Sequence, residues 1–427
     1  MSAGVLLTAF AANPSLAGGG PAWTAVHLLK AATESPPGGH RFGAVFIDRI
    51  LRSSDDLDPQ QARDRRFAGL PPARYIWPAA RFAARLRLAA RGLRRDGRTL
   101  VVDAHDVPSA FIARRLLPGT PLVLTVHTIG GWVPAGFLQL RPHLRGSRTE
   151  LLLRRVETSA VRRADIVVFP SAGAIRLFED AYPGVLAGKD VRIVNTGLDI
   201  ETIDRVPAGC TGLEELPIGG GSLVLCVAAH FAEKGLDVLI DAVGALPAET
   251  RAEIAVVVAG RGPLSEELES RIREKGLSGT IHLVGRVPDV IALMKAADIF
   301  VLPSRATVFD VVFLEAMAAR LPVITTRLEG NLEMFGEDAA LLVPPDDPLA
   351  LRDAIVRLLE NPPLRRSLAE AARRRLEQQF TLPKMLDAYV SIYESLAAAR
   401  TDGYCRDEKE RDGDKAGGEK AERRPAA

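Results

Sequence analysis

The sequence predicts an α/β architecture in which two parallel sheets, each wrapped by helices, follow one another along the chain. Three observations carry this. Short apolar runs of strand length alternate with longer segments of helical spacing, the pattern of a buried parallel sheet with crossover helices. That alternation fails once, in the Gly- and Pro-rich stretch between Gly197 and Ser222, and then restarts. After Pro348 the pattern is helical alone, to about Arg400. With 427 residues, 47% of them hydrophobic and 25% charged, the chain has ample material for more than one core.

The predicted strands of the first unit are Val5 to Phe10, Phe42 to Ile47, Leu100 to His105, Leu122 to His127, Ile166 to Phe169 and Val191 to Asn195. Those of the second are Leu223 to Val227, Ile254 to Ala259, Ile281 to Val284, Ile299 to Pro303 and Pro322 to Thr326. The C-terminal helical run is broken at Asn361-Pro362-Pro363 and at Pro383, because proline lacks the amide a continuing helix needs. The last residues mix charges of both signs with almost no large apolar side chain, so burial there does not offset the entropy of ordering. The expected division is therefore a first unit over 1–200, a linker over 201–222, a second unit over 223–380, a last helix over 381–400 and a disordered tail over 401–427.

Composition excludes several classes of function. Lys and Arg number 55 against 53 for Asp and Glu, a formal charge of +2, so no general basic field points to a nucleic-acid partner. Three cysteines, Cys210, Cys226 and Cys405, are too few and too scattered for a disulfide framework or a zinc site. The apolar start lacks any Lys or Arg before Lys30, unlike a secretory signal, and no apolar run approaches the ~20 residues that span a bilayer. A cytoplasmic location is expected.

Several segments carry residues suited to chemistry. Gly18-Gly19-Gly20-Pro21 precedes a predicted helix from Ala22 to Ala32, where free amides and the positive helix end form a generic anion site or, equally, a tight turn. His105 and His127 stand at the C-terminal ends of predicted parallel strands, outside which ligands of open α/β sheets bind. Each is also readable as a capping or packed histidine; Gly130 and Gly131 after His127 favour function there. In VLCVAAHFAEKGLDVLIDA, Lys234 lies near a helix start, against the helix dipole, which a bound phosphate explains better than structure does. In VLPSRATVFDVVFLEAMAARLPVITT, the helix is expected to begin at Leu314, so that Glu315 sits near its start in apolar surroundings where it can accept sugar or ribose hydroxyls. Gly330 and Glu333 are expected in a further sheet-end loop. Asp56-Leu57-Asp58 spells a DxD metal motif inside a charged loop and is read as solvated, not as a metal site.

In this order, the glycine loop, the paired histidine strand ends, RRADIVVFPS before VRIVNTGLD, AEKGLDVLIDA, AGRGPLSEELESRI, IHLVGRVPDVIALMKAADIFVLPS and LEAMAARLPVITT resemble family 4 of the retaining glycosyltransferases, from Val5 to about Ala399. The resemblance implies the GT-B fold, two Rossmann-like domains facing across a cleft, with the last helix crossing back to the first. It implies a nucleotide diphosphate-sugar as donor, held mostly by the second domain, and no metal or other cofactor. Carried over by position, Gly19 and Gly20 lie beside the diphosphate, His127 near the transferred sugar, Lys234 on the phosphates and Glu315 on the ribose. Phe309 and Asp310 offer backbone amides to sugar hydroxyls. Two positions depart from the family: Ala229 stands where an arginine is usual, and Thr307 stands at the first carboxylate of the E-x7-E pair.

The chemistry this implies is departure of the diphosphate, with negative charge stabilised by Lys234, helix ends and loop amides, and attack on the same face. His127 and Lys234 are the expected catalytic residues. The two departures keep open a nucleotide-sugar-binding protein without turnover, and the fold admits a sugar-nucleotide epimerase. No motif identifies the acceptor. Ala73 to Arg98 predicts a basic amphipathic helix, with Phe82, Leu86, Ala89 and Leu93 on one face and Arg87, Arg91, Arg94 and Arg98 on another. It either packs on the sheet with a solvated face or makes weak peripheral contact with anionic lipid.

Overall fold

The computed structural model describes residues 3–8, 21–34, 40–45, 50–51, 76–94, 99–139, 141–209 and 221–399. The first sheet contains β1 (Ala3–Thr8), β2 (Arg41–Val45), β3 (Ile50–Leu51), β4 (Thr99–Ala104), β5 (Leu122–Thr125), β6 (Ile166–Phe169) and β7 (Asp190–Ile193), in the order β3-β2-β1-β4-β5-β6-β7. All its pairings are parallel except β2 with β3. The second contains β8 (Ser222–Val227), β9 (Ile254–Ala259), β10 (Ile281–Gly285), β11 (Ile299–Leu302), β12 (Val323–Thr326) and β13 (Leu341–Val343), in the order β10-β9-β8-β11-β12-β13, all parallel. Helices cover both faces of each sheet, which is why the central strands read as unbroken apolar runs. In both sheets the order reverses beside the first strand, between β1 and β4 and between β8 and β11, so the loops leaving those strands open crevices at the carboxyl edges.

Three apolar cores follow from this. One fills the second domain. The other two lie on opposite faces of the first sheet. On one of those faces Val5, Leu7, Phe42, Val101 and Val123 meet Leu382, Met385, Leu386, Tyr389 and Tyr393 of a helix at 382–399, so the C-terminal helix crosses back as expected. Each such side chain contributes about 1.5 to 3 kcal/mol on full burial. On the other face helix Ile76–Arg94 buries Phe82, Leu86, Ala90 and Leu93 and leaves Arg87, Leu88, Arg91 and Arg94 outside. Its apolar stripe is thus consumed by the core; Arg98 lies outside the described residues.

The chain crosses between domains twice, and the crossings touch. Leu198 N–H donates to Phe380 O at 2.9 Å and Leu382 N–H to Leu198 O at 3.0 Å. Gly197 makes room for this, since a Cβ there would sit 2.3 Å from Thr381 O. The interval expected to be a linker, 201–222, begins instead inside a short helix, Ile200–Asp204, pinned to the second domain by Arg373, which grips Asp204 at 2.8 and 2.7 Å. Residues 210–220 of that interval, the tail 401–427, Gly19 and Gly20, and Asp56 and Asp58 lie outside the described residues.

Candidate active site

The carboxyl edges of the two sheets face each other, and cross-cleft bonds hold them together. Ser171 Oγ donates to Val308 O at 2.5 Å, and Gln139 Nε2 donates to Glu233. Glu333 accepts from Ala172 N at 2.9 Å and Gly173 N at 2.8 Å, so a carboxylate of the second domain caps helix Ala172–Ala181 of the first. Sequence reasoning put Gly330 and Glu333 in a loop. They are in helix Glu329–Phe335, and the partner across the cleft gives Glu333 its role, which no local pattern reveals.

Lys234 ends a single turn, Ala232–Lys234, before helix Leu236–Gly244. Gly235 follows in the left-handed region at φ 64°, and a Cβ on it would lie 2.1 Å from Pro303 O, so the turn is pressed onto the loop leaving β11. That contact brings Lys234 Nζ to the carboxylate of Asp310, at 2.8 and 2.9 Å. The sequence reading, that a bound phosphate explains this lysine better than structure does, meets a structural partner it did not foresee: Asp310 balances the charge. Asp310 begins helix Val311–Ala318 without a side-chain cap bond, because its carboxylate is turned to the lysine. Arg305 fastens the same turn, bonding Asp237 at 2.8 and 2.7 Å, Asp346 at 2.5 Å and Ala232 O at 2.7 Å. Its charge is committed there, and Ala229, exposed beyond β8, supplies none.

The loop between β11 and helix Val311–Ala318 holds the remaining donor-side residues. Thr307 and Ser304 are buried, and among the described residues neither hydroxyl has a hydrogen-bond partner. Such hydroxyls are costly unless something pairs with them. The Phe309 ring packs against Phe380, centroids 5.4 Å apart, which leaves only its backbone for a ligand. Glu315 is not near the helix start: the helix begins three residues before Leu314, at Val311, and Glu315 lies in its second turn. Desolvation pushes its carboxyl up to about 7, and no side-chain partner satisfies it among the described residues.

On the opposing domain, His127 follows β5 and His105 follows β4. The His127 imidazole is held well below its ordinary value of 6.5, chiefly by burial, and is therefore neutral near pH 7. His105 Nδ1 and His127 Nε2 are 3.1 Å apart. The segment after His127 is fixed by Glu157, which accepts from Trp132 N at 2.5 Å, from Val133 N at 2.9 Å and from the Tyr182 hydroxyl. Glu157, Asp103, Tyr389 and Tyr393 were not singled out from sequence. A polar residue inside an apolar strand, LVVDA, was the available signal for Asp103.

Two doubly wound domains face each other edge to edge, with a cation, a desolvated carboxyl and unpaired hydroxyls on one side and a neutral histidine on the other. A model for glycosyltransferase family 4 matches residues 19–202, and one for glycosyl transferases group 1 matches 214–375. Alpha-D-kanosaminyltransferase of Streptomyces kanamyceticus is 31% identical over 306 residues, 67% of this chain and 73% of that protein. Glycogen synthase of Mycobacterium tuberculosis is 29% identical over 75% of this chain and 74% of its own. Among solved structures, sucrose-phosphate synthase from Thermosynechococcus elongatus shares the fold with a TM-score of 0.70 at 21% identity, over 93% of this chain and 100% of that one. Anabaena HepE, solved with UDP-glucose, does so with a TM-score of 0.68 at 18% identity, over 92% and 99%. The chain belongs to the family 4 glycosyltransferases. Among the described residues, no helix is long and apolar enough to cross a membrane.

Proposed function

We propose that the protein transfers a sugar from a nucleoside diphosphate-sugar to an acceptor with retention of anomeric configuration and without a metal ion. The observation that carries this reading is the grouping of Lys234, Asp310, Thr307 and Glu315 at one end of the second sheet, opposite His127. Lys234 turns from Asp310 to the departing diphosphate, Glu315 accepts the ribose hydroxyls, and the backbone at Phe309 and Asp310 meets the sugar. Gly19 and Gly20, which lie outside the described residues, have this diphosphate-side role only by the resemblance to the family. With Ala229 in place of an arginine, Lys234 carries more of the leaving-group charge, a preorganised electrostatic contribution.

The donor preference is proposed to rest on Thr307. A carboxylate at this position in the family accepts donor-sugar hydroxyls near carbon 3; a threonine is shorter, uncharged and both donor and acceptor, so sugars altered there are accommodated. The kanosaminyltransferase relative is compatible with an unusual donor. The acceptor and any lipid contact through 73–98 stay outside this reading; Leu88, 61% exposed among arginines, is the feature such a contact has to use.

The test is release of nucleoside diphosphate from a panel of nucleotide-sugars, with and without a chelator, followed by the anomeric configuration of the product. Release that survives chelation supports the proposal. Tight binding with no release from any donor overturns it in favour of binding without turnover, and conversion of the donor to its epimer overturns it in favour of the epimerase.

A further inference from the structure

A charged residue lies where the sheet has no need of one. Asp103 occupies β4, fully buried, in a strand whose neighbours Leu100, Val101 and Val102 are core residues. A buried carboxylate costs several kcal/mol unless bonded, and a valine would serve the sheet better. Its bonds lead in one direction. Tyr393, from the helix at 382–399, donates its hydroxyl to Asp103 Oδ2 at 2.5 Å, and Thr125 Oγ1 donates to Oδ1 at 3.4 Å. The Tyr389 hydroxyl lies 3.3 Å from that same Thr125 Oγ1, and the Tyr389 ring lies beside His105, centroids 6.0 Å apart. Burial and the Asp103 charge push both tyrosines well above their ordinary values, so both remain protonated.

The imidazole of His105, itself fully buried, presents Nε2 3.3 Å from Asp103 Oδ2. The contact is not aligned as a hydrogen bond, and Nε2 has no other partner among the described residues. A carboxylate only accepts, so the proton of His105 belongs on the nitrogen that faces it. When His105 carries this single proton, Nδ1 has a bare lone pair, and the nitrogen 3.1 Å away, His127 Nε2, has to donate. His127 is neutral, so its Nδ1 is left without a proton. That nitrogen has no partner among the described residues, and His127 is only half-buried.

We propose that Asp103 and His105, braced by Tyr393 of the crossing helix, are positioning residues that hold His127 as the tautomer with a bare Nδ1, an acceptor for a hydroxyl of the bound sugar. The sugar contact rests on the glycosyl-transfer reading; the tautomer does not. The crossing helix thereby acts on the cleft through a side-chain chain as well as by covering the sheet.

The experiment is a long-range proton–nitrogen correlation spectrum of the full chain with isotope-labelled histidine, near neutral pH, with His127 assigned by the signal lost in His127→Gln. The expected wild-type signal has Nε2 protonated and Nδ1 bare. In Asp103→Asn, whose amide can donate to His105, His127 shifts toward the opposite tautomer. In parallel, Asp103→Asn lowers kcat/KM for UDP-glucose about 10- to 100-fold, the scale found when the partner orienting a metal-bound histidine is lost, while Kd for UDP alone is unchanged. A wild-type His127 protonated at Nδ1 or at both nitrogens overturns the proposal, whatever the fate of the variants. So does an unaltered tautomer in a folded Asp103→Asn. Should that variant not fold, Tyr393→Phe, which keeps the ring in the core, has to shift the same signal. If the tautomer behaves as expected and UDP-glucose is not turned over, the failure belongs to the functional reading alone.

Discussion

Glu315→Gln separates the electrostatics of the donor site from its shape. In the folded chain the Glu315 carboxyl is displaced from an ordinary 4.5 to about 7 by desolvation, with no opposing partner. It therefore holds its proton more tightly folded than unfolded, and folding stability has to fall as pH rises through that window. The displacement is worth about 3 kcal/mol at full effect, on the scale of about 1.4 kcal/mol for each tenfold change in proton affinity. Other groups titrate as well, so the informative quantity is the difference between Glu315→Gln and wild type, measured by urea unfolding from about pH 4.5 to about pH 8. That difference is expected to grow in favour of glutamine by about 2 to 3 kcal/mol, nearly all of it by pH 8. Binding runs the other way. Ribose hydroxyls prefer the carboxylate, so wild-type affinity for UDP rises through pH 7, whereas the glutamine variant binds about 10-fold or more weakly at pH 8, having lost charge-assisted bonds worth about 1.5 to 3 kcal/mol. A stability difference that is flat with pH would falsify the desolvated, unpaired carboxyl; a pH-dependent stability with unchanged UDP affinity would remove Glu315 from the ribose.

Lys234→Ala is expected to depress transfer at least about a hundredfold, and wild-type rates in that variant would rule out its place on the phosphates. Thr307→Glu is expected to narrow a donor panel toward unmodified hexoses, read as kcat/KM for each donor; an unchanged panel shows that residue 307 does not touch the sugar. Glu333→Gln removes the charge that caps helix Ala172–Ala181 across the cleft, and should cost about 1 kcal/mol of domain closure. Small-angle scattering should then report a larger radius of gyration, and an unaltered curve would mean that the other cross-cleft bonds suffice. For His127, whose value is depressed on folding, the stability it contributes is present above pH 6.5 and lost as pH falls below it; His127→Gln should therefore flatten the acid limb of the stability profile.

The sequence by itself determined the two sheets, their parallel strands and the helical C-terminus, because strand-length apolar runs and helical spacing are local consequences of burial on both faces of a sheet. His127, Lys234 and Glu315 stood out as candidates because a polar residue at a strand end or in a small-residue helix contrasts with its neighbours, whereas Thr307, Phe309 and Asp310 were named only by the resemblance to the family. What each of them faces was decided only in three dimensions. Lys234 read as a cation set against a helix dipole until the loop from β11 brought Asp310 within 2.8 Å, 76 residues away. Glu333 looked like a loop residue until helix Ala172–Ala181 came within reach, 160 residues away at Gly173. Tyr393 sits 290 residues beyond Asp103, and nothing near either position in the chain announces the other. Hydropathy reports how much surface a residue must hide, which is a property of its own segment; a hydrogen bond depends on where two segments end up, which is set by how the chain packs within each domain and crosses between them.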